Sequence, residues 1–190
     1  SLHDALPIFA YTGYADLDTN DVIVDGATSH VRINSTGGVG NMTLGSPTTT
    51  IATLSQGNPG QAAVIDLQST NTLQTSAIMV GSSAMGLTVG ASIGDGFLTA
   101  ATAGGDILLR NNSLSELLTI NSSIIDNTSA TSVTKVGQGV VVLAGTNTYT
   151  GATNLAEGTL KAGSSDAFGG NGPLVMTGLS QFDLAGFDAA

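Results

Sequence analysis

The apolar residues of this chain come in runs too short for anything but β-strands, and that constrains its fold more than any other feature. The runs fall at 22–24, 31–33, 42–44, 51–54, 64–67, 78–80, 87–89, 97–99, 107–109, 117–120, 140–143, 159–160, 174–176 and 182–184, between stretches of Gly, Asn, Ser and Asp. Short runs bounded by turn formers are the strand-and-turn signature. Helices are disfavoured by the same composition: Gly, Thr, Ser and Asn fill 82 of 190 positions and only 9% of the chain is charged. Helix interiors and i,i+4 ion pairs therefore lack their usual material. With 41% hydrophobic residues, the chain is no charged disordered tail either.

The centres of the first ten runs are spaced mostly 9 to 13 residues apart. That suits a β-sandwich or a parallel β-solenoid with three such strands per coil. Turn chemistry separates them. Sandwich hairpins favour two-residue Asn-Gly or Asp-Gly turns, and few connections, Asp25-Gly26 and Asp95-Gly96 among them, supply one. Longer connections of small polar residues suit strands that pair with the next coil instead of their sequence neighbour. The expected fold is all-β, a right-handed parallel β-solenoid (β-helix) with three short strands per coil. At about 4.8 Å per coil, about seven coils would make a rod roughly 35 Å long.

The absence of Cys and Trp removes disulfides and thiolate metal sites and leaves an aliphatic core. The net charge is −10, and the basic residues Arg32, Arg110, Lys135 and Lys161 are scattered singly, which argues against nucleic acid and anionic membranes as partners. No run of 18 apolar residues exists, so no membrane insertion is expected within this chain. Residues 1–8 (SLHDALPI) read like an in-frame translation of a sequencing adaptor and are set aside as non-native, His3, Asp4 and Pro7 included. No signal-peptide pattern opens the chain, and residues 181–190 stop within a repeating pattern, so an internal piece of a longer protein is expected. Its parts would be irregular coils over 9–132, a distinct repeat over 133–163, and following, truncated coils over 164–190.

The repeat runs VTKVGQGVVVLAGTNTYTGATNLAEGTLKAG. It resembles the autotransporter-associated β-strand repeat (passenger-associated transport repeat), whose pattern is roughly L-x-K-x-G-x-G-x-L-x-L-x-G-x-N-x-Y-x-G-x-T-x-x-x-x-G-x-L. Lys135, Gly137, Gly139, Leu143, Gly145, Asn147, Tyr149, Gly151, Thr153, Gly158 and Leu160 fall on pattern positions. Val141 stands where Leu is usual, and Glu157 precedes Gly158 where a small residue is common. Residues 104–127 are similar to coils that precede this motif in the same bacterial surface proteins. Read physically, 140–143, 153–155 and 159–161 would be three strands completing one three-sided coil, 145–151 a broad turn, and the glycines its corners.

Asp16, Asp18 and Asn20 copy the first ligand positions of a helix-loop-helix calcium loop, but Asp21 and Ala27 stand where Gly and Glu are required, so a solvated acidic turn within 16–25 is the better reading. The Gly-rich segments 37–40 and 169–172 lack the Asp of a calcium roll, Met42 and Leu174 standing in its place. His30, beside Ser29, has no G-x-S-x-G elbow to work with and reads as a surface or turn histidine. Tyr149 reads as a packed turn residue rather than a ligand-stacking aromatic, and the Asn-x-Ser/Thr triplets at 34–36 and 121–123 as chance. Asp66, Asp95 and Asp106 form no spacing that ties them to a glycosidase carboxylate pair.

No catalytic, cofactor or metal site is expected. The resemblance implies a structural, non-enzymatic passenger or stalk segment of an exported bacterial autotransporter-like surface protein, placed outside the cell. Its partners would be the neighbouring solenoid coils. The alternative is an adhesin segment that binds an extracellular glycan or host protein through a solenoid face; a carbohydrate-active β-helix enzyme fragment is a third reading. Lack of Cys suits export, since no disulfide can lock the chain before it crosses a membrane.

Overall fold

A computed structural model describes residues 13–17, 21–34, 41–170 and 172–187. The suspected adaptor, the segment 37–40, Asp18 and Asn20 lie outside the described residues. The described residues form strands and no helix. In chain order the strands come coil by coil: β1 (Tyr14–Leu17) and β2 (Val22–Ile23); β3 (Gly26–Ile33) and β4 (Asn41–Leu44); β5 (Thr48–Gln56) and β6 (Ala63–Asp66). There follow β7 (Thr72–Val80) and β8 (Leu87–Val89); β9 (Phe97–Thr99), β10 (Asp106–Asn111) and β11 (Leu117–Ile120); and β12 (Ser123–Ile124), β13 (Ser132–Val136) and β14 (Val140–Leu143). The last are β15 (Thr153–Leu155) and β16 (Gly158–Ala162), then β17 (Leu174–Met176) and β18 (Ser180–Asp183).

Every pairing between named strands is parallel and joins one coil to the next. The result is a β-solenoid of about 7 turns. One sheet runs β1-β3-β5-β7-β10-β13-β15-β17, and the other β2-β4-β6-β8-β11-β14-β16-β18. The third side is a strand in the middle of the rod, where Ser123 of β12 pairs with Phe97 of β9 and Phe97 with Thr72 of β7. The nine-residue strands β5 and β7 cover two sides: the start of β7 pairs with β9 and its end with β10. Beyond β12 that side continues as an extended turn, with Thr148 N bonded to Ile124 O at 2.9 Å and Gly170 N to Tyr149 O at 3.1 Å.

Register explains how an irregular sequence makes a regular rod. Tyr14, His30, Thr53, Ala77, Leu108, Thr134, Asn154 and Val175 stack in one column although they lie 16, 23, 24, 31, 26, 20 and 21 residues apart. Strands hold the register and turns absorb the difference in length. Period-two alternation sends one parity inward, giving the columns Met42, Ile65, Val89, Ile120, Leu143, Ala162 and Ala63, Leu87, Leu118, Val141, Leu160, Phe182. All but Phe182 are buried, and Phe182 packs against the core. Each buried Leu or Ile contributes about 1.5–3 kcal/mol. Val141 is thus accommodated between Leu118 below and Leu160 above.

Candidate functional site

The buried polar chemistry of the described residues gathers at the joints between coils, and the repeat at 133–163 contributes Lys135, Asn147 and Thr153 to it. The three strands expected in the repeat are present, but they are not three sides of one coil. Val140 pairs with Thr159, so β14 and β16 share a side one turn apart, with β15 stacked on β13 between them. Residues 145–151 supply the third side as a turn without a strand, which is why the motif spans more than one circuit.

Lys135 occupies an inward position of β13, in a column whose other buried members are Val31, Leu54, Ile78, Leu109 and Leu155. It is fully buried. Its Nζ donates to Val136 O at 3.0 Å and Gly137 O at 2.5 Å in its own corner, and to Glu157 O at 2.9 Å in the following coil. An ammonium has three N–H donors, and each meets one carbonyl. Burial pushes the ammonium down to about 8, with the Glu157 charge working against it, so the group is still charged at neutral pH.

The corner that receives it is built from glycine. Gly137 and Gly158 have φ of +80° and +70°, in the left-handed region. A Cβ on Gly158 would fall far inside contact distance of Gly137 O in the turn beneath. Gly139, Gly145 and Gly151 likewise leave no room for a Cβ against the carbonyls of Ser113, Ser122 and Thr131 in the preceding coil.

Asn147 spans three coils. Its Oδ1 accepts from Ile124 N at 2.7 Å below, and its Nδ2 donates to Ala167 O at 2.5 Å above. Tyr149 is buried in the core, its hydroxyl 2.6 Å from Thr153 Oγ1. Burial pushes the phenol up to about 12, partly opposed by the Thr153 bond. An unfolded tyrosine ionises near 10, so between pH 10 and 12 the folded chain holds more protons than the unfolded one. The stability from keeping Tyr149 neutral is therefore present below pH 10 and lost as pH rises toward 12. A thermal midpoint followed from pH 9 to 12 is expected to fall, and Tyr149→Phe should remove about 2–3 kcal/mol of the underlying loss of stability, a shift of about two pKa units being worth about 1.4 kcal/mol each.

Similar joints occur where sequence reasoning saw none. Asn111 closes β10 by donating to Glu116 O and Val140 O, both at 2.8 Å, and accepting from Ser113 N at 2.9 Å. Gln56 closes β5 by donating to Gln61 O at 3.0 Å. Asp95 accepts from Leu67 N at 3.0 Å, Ser69 N at 2.6 Å and Ala91 N at 2.7 Å, tying the turn after β6 to the turn after β8. Asp126 accepts from Thr131 N at 2.8 Å and from the Thr150 N at 2.9 Å and hydroxyl at 2.8 Å; burial works to raise its carboxyl, and these bonds hold it below the usual range. A signal existed for two of them: Gln56 and Asn111 continue the inward parity of Leu54 and Leu109, where a polar residue must find a backbone partner.

The other candidates disperse. Asp16 pairs with Arg32 at 2.7 and 2.9 Å and is held below the usual carboxylate range by that bond. No cluster of three or more potential metal ligands occurs among the described residues. Asp66 caps its own turn through Gln68 N at 2.7 Å, Asp95 is committed as above, and Asp106 accepts from the Thr134 hydroxyl at 3.0 Å with burial raising its carboxyl. The structure gathers these three into no common site, since β6 and β10 belong to different sheets. His30 lies within β3, not in a turn, because that strand begins at Gly26; its Nδ1 is 2.8 Å from Thr53 Oγ1 and its ring meets Tyr14 edge-on. Asn121 donates to Gly90 O at 3.1 Å, another contact between coils. Gly169 has φ +68° and packs on Tyr149.

Residues 133–162 match the family model described as passenger-associated-transport-repeat. Among curated proteins, the Adhesin BmaC autotransporter of Brucella suis biovar 1 (strain 1330) is 44% identical over 57 residues. The shared stretch covers 30% of this chain and 2% of that adhesin, so the chain spans a small fraction of its relative's length. No solved structure matches. No helix of the described residues is long and apolar enough to cross a membrane. The stretch whose Lys and Asn are spent on joining parallel coils is the one that the family model matches, so this β-solenoid carries a segment similar to the passenger-associated-transport-repeat.

Proposed function

We propose that this chain is a structural, non-enzymatic stalk segment of an exported passenger, displayed at the bacterial surface and serving to extend and space other regions. The observation that carries this reading is the use to which the repeat puts its chemistry. Lys135 and Asn147 bond to backbone of neighbouring coils and Tyr149 is buried against Thr153, so these polar groups maintain the rod and face no substrate. The eleven pattern positions from Lys135 to Leu160 are, in this reading, structural throughout. Residues 9–132 and 164–190 would be further lengths of the same rod around the repeat at 133–163.

A second reading is favoured by one observation, the similarity to a protein named as an adhesin. There a solenoid face would bind a glycan or a host protein. Glycan-array screening of the purified chain, with calorimetry of any hit, separates the two. The stalk reading expects no saturable binding. A single glycan class bound with a Kd between about 1 µM and 1 mM would replace it with the adhesin reading.

A further inference from the structure

We infer that Lys135 is a cationic latch between coils, which closes only when the β15–β16 coil has docked on the β13–β14 coil and which couples the opening of β15–β18 to the rest of the rod. Two of its three acceptors, Val136 O and Gly137 O, belong to its own corner and are available before the next coil arrives. The third, Glu157 O, lies 22 residues on, in the turn between β15 and β16. Until that turn is in place, one N–H of the ammonium has no carbonyl to meet and must keep water. Once it is in place the side chain is fully buried among Leu109, Leu155 and the sheet opposite. A buried ammonium that loses one acceptor is strongly disfavoured, so the coil above cannot lift away without opening the cage. Gly158, next to Glu157, allows the approach, because a side chain there would strike Gly137 O.

In a solenoid each coil contacts only its neighbours, so cooperativity rests on the strength of single joints. Weakening one joint should separate the rod into two units. Hydrogen exchange on the whole chain tests this with Lys135→Met, which keeps the length and apolar stem but removes the N–H groups. The expected result is protection in β15, β16 and β18 reduced about 10- to 100-fold, the equivalent of one unsatisfied buried group at about 1–3 kcal/mol, with β8, β10 and β11 much less affected. Equal loss in all strands, or no loss, would overturn the latch.

Chemical rescue supplies the second readout, on Lys135→Ala. Propylammonium chloride should restore protection in β15 and β16, because it offers three N–H donors to the vacated cage. Tetramethylammonium chloride at the same concentration should not, because it carries the charge without a donor. Equal effects of the two salts, or no rescue, would mean that the lysine stem packs and the ammonium couples nothing. If Lys135→Ala does not fold, the exchange pattern of Lys135→Met decides alone.

Discussion

Gly158→Ala is expected to destabilise the chain by about 2–5 kcal/mol. Two costs add at this position. A non-glycine residue at φ +70° pays about 1–2 kcal/mol for the left-handed conformation. The added methyl also enters the space held by Gly137 O and Gly139 O of the coil beneath, and overpacking against backbone that cannot rotate away costs about 1–3 kcal/mol. Gly170→Ala is the control: a Cβ there meets nothing within 4 Å, so a change within about 0.5 kcal/mol is expected. Urea midpoints of the two variants against the parent chain measure the difference. A Gly158→Ala midpoint indistinguishable from that of Gly170→Ala would show that the corner can relax, and the account of the repeat glycines would fail.

Asp95→Ala should cost about 3 kcal/mol. The carboxylate is buried and is the acceptor for Leu67 N, Ser69 N and Ala91 N, which come from turns of two successive coils. Truncation leaves those donors to whatever water can reach them, and each unsatisfied buried group costs about 1–3 kcal/mol. The turn it supports is strained as well, since Gln68 and Ser69 both have positive φ without being glycine. Asp95→Asn keeps one oxygen in place and should recover about half of the loss. If thermal unfolding shows Asp95→Ala and Asp95→Asn to be equally stable with the parent, Asp95 is not the joint described here.

Much of the fold was legible in the sequence because a strand is a local property. The apolar runs 117–120, 140–143 and 174–176 coincide with β11, β14 and β17, and 107–109 lies within β10. Alternation and flanking turn residues are enough to place such segments. The repeat was legible through its resemblance to a family pattern, whose glycines and Asn sit where one coil lies on another. Of the two alternatives for His30, surface or turn, the turn came from the turn-like composition of Gly26-Ala-Thr-Ser, yet its backbone pairs with β5 beyond an irregularity in the register between Gly26 and His30. Composition alone cannot reveal pairing contributed by another coil.

What the sequence by itself determined was the all-β solenoid class, the positions of most strands, with β1, β12 and β13 missed, and the existence of one well-formed repeat. Which strand lies on which was decided only in three dimensions. The partners are 16 to 31 residues apart, and the intervening turns absorb length without changing the register, so no fixed period in the chain encodes the pairing of β14 with β16. The roles of the polar residues were decided there too. Asp95 carries no mark in the sequence that distinguishes a surface charge from a buried joint, and the pattern position of Lys135 names no partner for it, because the groups that satisfy both are backbone amides and carbonyls, which nearly every residue type can supply. A backbone partner is invisible in a sequence and becomes specific only when one coil is laid on the next.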